Sequence, residues 1–226
     1  MTEIIAIIKQ CEDQIEEALW SLEVPGETEK ALEAYRAEEV KLMELIIRPG
    51  EPAYPDQQRV LSYCLMRQGN ILRQIGQPQE ALGLSEREIV AARLSGDSIT
   101  LARSLMSHGT NSIVGGEVKP GLAQIEEARA LFEGGDSYDH QQGLGWCWIL
   151  LADIANAGLI AKEPAEVIAM ANQALAILMP IENWPGVARA YAARAHAYEK
   201  LGDNTAAAAD RESRKLYEGK NEHSTV

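Results

Sequence analysis

Four arginines, Arg67, Arg73, Arg103 and Arg189, stand at helical spacing among Tyr63, Asn70, Met106, Thr110, Trp146, Asp153, Asn156 and His196 in a chain of net charge −13. Steps of three and four residues put Tyr63, Arg67, Asn70 and Arg73 on one helix face. The same spacing joins Arg103, Met106 and Thr110, then Trp146, Ile149, Asp153 and Asn156, and finally Arg189, Ala192, His196 and Glu199. Such faces offer recognition. A guanidinium grips a carboxylate or phosphate through two parallel hydrogen bonds, and Asn can hydrogen-bond a peptide backbone. The same charges can equally serve as solubilising groups or as salt-bridge partners within the chain.

Groups for catalysis are scattered by comparison. His108, His140, His196 and His223 show no metal-ligand spacing, and "DSYDHQQ" gathers Asp136, Asp139 and His140 only in a loop, short of the convergent set zinc needs. The paired carboxylates Glu16–Glu17, Glu38–Glu39 and Glu126–Glu127 are neighbours on helices, so they point in different directions. "GEVKPGLA" has the glycine spacing of a phosphate loop but lacks the following Lys and Ser or Thr, and no strand precedes it. No motif assembles a Ser-His-Asp triad. The expectation is a protein without catalytic residues, bound metal or cofactor.

The 226 residues are 46% hydrophobic, enough to bury a sizeable core. Aromatic residues are only 5%, with a single Phe, and alanine is abundant, which favours helix over strand. A pI of about 4.8 repels phosphate backbones and anionic membranes, so neither nucleic acid nor membrane is an expected partner. Cys11, Cys64 and Cys147 lie far apart in apolar helical patterns, which suits buried free thiols and a cytoplasmic location. "MTEIIAIIKQCEDQIEEALW" lacks the basic leader of a signal peptide, and no apolar run approaches a membrane span.

The elements that must carry these faces are helices separated by a recurring break. Gly202 with Ala207 in "KLGDNTAAA" returns as Gly26 with Ala31, as Gly76 with Ala81, and with a small substitution as Gly116 with Gly121. The intervals are 50, 40 and 86 residues, the last being twice 43, and Gly158 stands near the place where the missing break is due. Five breaks at 40 to 50 residues mean a repeat array. Apolar stripes at the helical period flank each break, such as Ile8, Cys11 and Ile15 before the first and Ala31, Tyr35 and Leu42 after it. The array reads as a single domain over 1–226, with helix-pair units 2–47, 55–95, 97–134, 138–182 and 184–219 and a frayed tail.

These residues resemble the tetratricopeptide repeat family, whose units carry a small residue where the second helix crosses the first. Gly69, Gly109, Ala152 and Ala195, spaced by 40, 43 and 43, match that position, and Leu19 departs from it. The long period is similar to that of kinesin light chains and some bacterial regulators, and helical solenoids of the HEAT type share it. The resemblance implies an all-α fold, a right-handed α-solenoid of about five antiparallel helix pairs. On that register Gly69→Leu is expected to be strongly destabilising.

The resemblance also implies that the first helices line a concave surface that holds a peptide. The residues assigned to it are Tyr63, Arg67, Asn70, Arg73, Arg103, Met106, Thr110, Trp146, Asp153, Asn156, Arg189 and His196. Some family members grip a terminal carboxylate with Lys and Asn; Asn70 matches the Asn, but Met66 stands where the Lys belongs. The expected function is a non-enzymatic scaffold for a protein or peptide partner with acidic and apolar side chains. The alternatives are a regulatory module binding a small ligand or signal peptide, and a self-assembly module, such as a homodimer, built on Ile5 and Ile7.

Overall fold

The structure, a computed structural model, describes residues 2–222 and the side chains of 2–220. Among these residues there are ten α-helices and no strand. They are α1 (Thr2–Ala18), α2 (Thr28–Glu44), α3 (Tyr54–Gln74), α4 (Pro78–Ser95), α5 (Ser98–Val114), α6 (Val118–Glu133), α7 (Tyr138–Asn156), α8 (Pro164–Leu178), α9 (Trp184–Leu201) and α10 (Asn204–Glu222). His223 and the end of the tail expected to fray lie outside the described residues. Contacts divide the chain into two compact units, Met1–Glu127 and Ala128–Val226.

The break inside each pair has one local cause. Gly26, Gly76, Gly116, Gly158 and Gly202 have φ of 92°, 80°, 96°, 74° and 86°, the left-handed region in which a Cβ is strained. The residue after each glycine donates its amide N–H to a carbonyl five positions back, as in Gln77 to Leu72 at 2.8 Å and Asp203 to Tyr198 at 2.9 Å. That bond satisfies a helix-end carbonyl and stops the helix. The fourth break is longer: α8 starts only at Pro164, behind a reciprocal cap between Glu163 and Glu166.

A continuous core runs through α1–α4 of the first unit. Ile8, Cys11, Ile15, Tyr35, Leu42, Val60, Cys64, Leu65 and Leu72 pack together there, and the alanines that follow the first two breaks, Ala31 and Ala81, join them. Ile7, expected on an open face, is half-buried against this core, while Ile5 is exposed. Between α1 and α2 the backbone widens into a π-helical turn, Leu19–Glu23. Such a turn holds one extra residue. It moves the register so that Ala18, not Leu19, is the buried small residue of the first pair.

Helix crossings differ in closeness, although Gly69 stands buried opposite Ala81 as its register requires. A Cβ there would meet only the Ala81 carbonyl oxygen at 3.8 Å, an ordinary contact. At Gly109 it would stand 2.6 Å from the Gly121 carbonyl oxygen and 3.0 Å from Ile125 Cγ1. The tighter of these two crossings is thus where glycine faces glycine.

Two clusters of the second unit differ in the size of their residues. Ile149, Leu175, Leu178 and Val187 gather Trp146, Trp148, Trp184, Tyr191 and Tyr217 around them, whereas Ala152, Ala155, Val167, Ala193 and Ala197 form a small-residue seam. Alanine on α7 and α9 lets these helices pack with little side chain between them. Ile149 is 1% exposed, so it belongs to the core and not to an open face.

Candidate peptide-binding surface

The stripe on α3 is tied down from within the first unit. Arg67 donates through Nε to Glu23 Oε2 at 3.1 Å and pairs through Nη2 with Oε1, while the Tyr35 hydroxyl donates to Oε2 at 2.7 Å. The π-helical turn presents this carboxylate, so the Arg67 guanidinium staples α3 to it. Tyr63 is half-buried, and burial followed by Glu16 pushes its hydroxyl above the ordinary tyrosine range. Arg73 donates to Asn111 Oδ1 at 2.9 Å and to Asn70 Oδ1 at 3.0 Å. On α5, Arg103 and Met106 are half-buried, and Thr110 gives its hydroxyl to the Met106 carbonyl at 2.8 Å.

In the second unit the assigned residues come together. Asp153 and Asn156 of α7 and Arg189 and His196 of α9 line one cleft of about 380 Å³, and Arg214 of α10 completes it. A second depression of about 320 Å³ shares Arg189, Ala192 and Arg214 with the first and adds Trp146, Pro185 and Glu218. Sharing these residues, the two form one groove of mixed polar and apolar lining, with the Trp146 indole in its second part. Arg189 is held on Asp153 Oδ2, at 3.0 Å from Nε and 2.9 Å from Nη2, and Arg214 on Glu218 at 2.8 Å. Burial raises the Asp153 carboxyl above its usual range, and the charges of Arg189 and His196 oppose that shift. Asn156 donates to the Ala193 carbonyl at 2.8 Å, which leaves its Oδ1 without a hydrogen-bond partner.

Arg214 escaped the sequence reading because it stands on the second helix of its pair, whereas the assigned residues all came from first helices. No local signal sets it apart from Arg211, which pairs with Glu199. Half-buried Glu23 and buried Glu88, both with structural partners, were also missed, since a carboxylate on a helix reads as a solvated group. Among the described residues no group of three or more His, Cys, Asp and Glu could hold a metal ion.

Paired helices joined through left-handed glycines, with small residues at the crossings and polar side chains on first helices, define a tetratricopeptide-like helical repeat protein. Neither a family model nor a curated protein matches this chain. Solved structures do. A Podosopora anserina protein of nearly identical TPR-like repeats, assigned as a kinesin light chain, is 17% identical over 95% of this chain and 97% of that one, with a TM-score of 0.61. A single-substitution variant of that protein gives 16%, 96% and 98%, with a TM-score of 0.63. BtubC (BKLC) from P. vanneervenii is 14% identical over 97% of this chain and 92% of that one, with a TM-score of 0.64. The chain has the TPR-like α-solenoid fold.

Proposed function

We propose that the protein is a non-enzymatic interaction scaffold and that the α7–α9–α10 groove of the second unit holds a peptide segment of its partner. The observation that carries this reading is the convergence of Trp146, Asp153, Asn156, Arg189 and His196 with Arg214 on one open surface. Indole and guanidinium are the side chains that most often anchor interfaces. Arg189 meets Asp153 through Nε and Nη2, and Arg214 meets Glu218 through Nε, so other guanidinium donors of both can reach a partner's carboxylate. The partner segment therefore carries acidic and apolar side chains. Buried Cys11, Cys64 and Cys147, none in a disulfide, suit a reducing cytoplasm, and no helix among the described residues is long and apolar enough to cross a membrane.

The test is a polarisation titration with a labelled pool of decapeptides in which Asp or Glu alternates with Leu or Phe. Replacing Arg189 and Arg214 together by Gln should weaken binding at least tenfold, about 1.4 kcal/mol. The melting temperature should move little, since both side chains are half exposed or more and their pairs contribute little to folding. Equal affinities of the two proteins, or no binding by either, would reject this groove.

A further inference from the structure

Glu88 of α4 is 1% exposed, and its Oε2 accepts a hydrogen bond from the Ser107 hydroxyl of α5 at 3.1 Å. Its Oε1 is buried with no hydrogen-bond partner. The cation nearest to it in electrostatic effect is Arg73 of α3, yet Arg73 spends its guanidinium on the neutral amides of Asn70 and Asn111. Asn111 is itself 3% exposed, and its Nδ2 is also without a partner. A buried acid and a half-buried cation thus feel each other's charge, while the cation is bonded to neutral amides and the acid to a serine through one oxygen alone.

That arrangement is the one expected of a protonated carboxyl. Arg stays charged at any pH a protein survives, and a carboxylate binds it about twice as strongly as an amide oxygen does. Helix geometry also directs both side chains toward one crossing. Helical side chains lean toward the N-terminus of their own helix, and α3 and α4 form an antiparallel pair. Arg73 therefore leans back toward Gly69, Glu88 leans back toward Ala81, and Gly69 and Ala81 face each other at the crossing. We propose that Glu88 is the proton-responsive element of a buried switch in the first unit. With the carboxyl protonated, Arg73 rests on Asn70 and Asn111; with the proton gone, Arg73 re-pairs onto Glu88 and releases both amides. Asn70 and Arg73 belong to the half-exposed stripe of α3, so the proton resets a surface as well as a core contact.

The surroundings place the switch near neutrality. Burial pushes the Glu88 carboxyl up to about 8, against Ser104, Ser107 and the charge of Arg73, which pull it down. The other groups at this seam are Ser62 of α3, bonded to Ser104 at 2.9 Å, and His108 of α5, bonded to Ser85 of α4 at 2.8 Å. Burial lowers the pKa of His108, so it stays neutral where Glu88 titrates. The sign follows from the raised pKa. The native state keeps a proton that the unfolded chain releases near pH 4.3, so stability falls as pH rises from there to about 8 and then levels off.

The experiment compares wild type with Glu88→Gln, which is isosteric with the protonated acid and cannot titrate. Between pH 5.5 and 7 the wild-type folding constant should fall about tenfold per pH unit relative to the variant, less steeply toward 8, and the two should run parallel from about pH 9. The carboxyl carbon resonance of Glu88, assigned by its loss in the variant, should titrate near 8. The Nε–H signal of Arg73, assigned through Arg73→Lys, should shift in step in wild type and stay still in Glu88→Gln. Titration of Glu88 at ordinary carboxylate pH, or an Arg73 signal that ignores it, would overturn the proposal.

Discussion

Alanine at Gly109 is expected to lower the melting temperature by roughly 4–10 °C, while alanine at Gly69 leaves it unchanged or raises it. Both glycines lie inside first helices, and both stand at the small-residue position of their unit. The difference is what a methyl group would touch. At Gly109 it would enter the Gly121 backbone at 2.6 Å, and the reciprocal substitution at Gly121 would enter the Gly109 backbone and the Ile113 side chain. Backbone cannot swing aside as a side-chain tip can, so α5 and α6 would have to separate, at about 1–3 kcal/mol. At Gly69 the nearest atom is 3.8 Å away, and Ala in place of Gly gains roughly 0.5–1 kcal/mol of helix propensity. Thermal unfolding of the three single variants decides the matter. Equal losses at Gly69 and Gly109 would mean that the α3–α4 crossing is as tight as its neighbour.

Arg67→Ala is expected to cost about 3–5 kcal/mol, the range for stripping one partner from a buried ion pair. The Glu23 side chain is 8% exposed and would be left with the Tyr35 hydroxyl alone. Adding Glu23→Gln to Arg67→Ala should recover part of the loss, because an amide can stay buried without a countercharge and still accept from Tyr35. By contrast, the Arg189–Asp153 pair has an arginine that is 57% exposed, so Arg189→Ala should change stability by less than about 1 kcal/mol. Urea unfolding of the single and double variants separates the two cases. Arg67→Ala matching Arg189→Ala within error would remove the structural role given to Arg67.

Local features were legible because their causes are local. Gly26, Gly76, Gly116, Gly158 and Gly202 end helices through their own backbone freedom, so their spacing announced the pairs without any tertiary information. Buried stripes such as Val60, Cys64, Leu65 and Leu72 follow from helical geometry alone. Where an extra residue entered a helix the reading slipped: at Leu19–Glu23 the π-helical turn shifted the small position to Ala18. Nothing in the residue types of that stretch marks the turn in advance.

The fate of the arginines lay beyond the sequence. Periodicity tells which face of a helix a residue occupies and is silent about what stands opposite. Arg67, Arg73 and Arg189 recur on equivalent stripes, yet their partners Glu23, Asn111 and Asp153 are 44, 38 and 36 residues away. Only the packing of helix on helix brings those groups within reach. It made Arg67 a staple and Arg73 a neighbour of Glu88, and it left Arg189 beside Arg214 on an open groove. The chain's own residues determined the helices, their breaks and the class of fold, because those depend on neighbours a few positions apart. Which charged side chains hold the protein together and which face outward was decided by tertiary structure, because pairing and desolvation depend on atoms that the chain order keeps far apart.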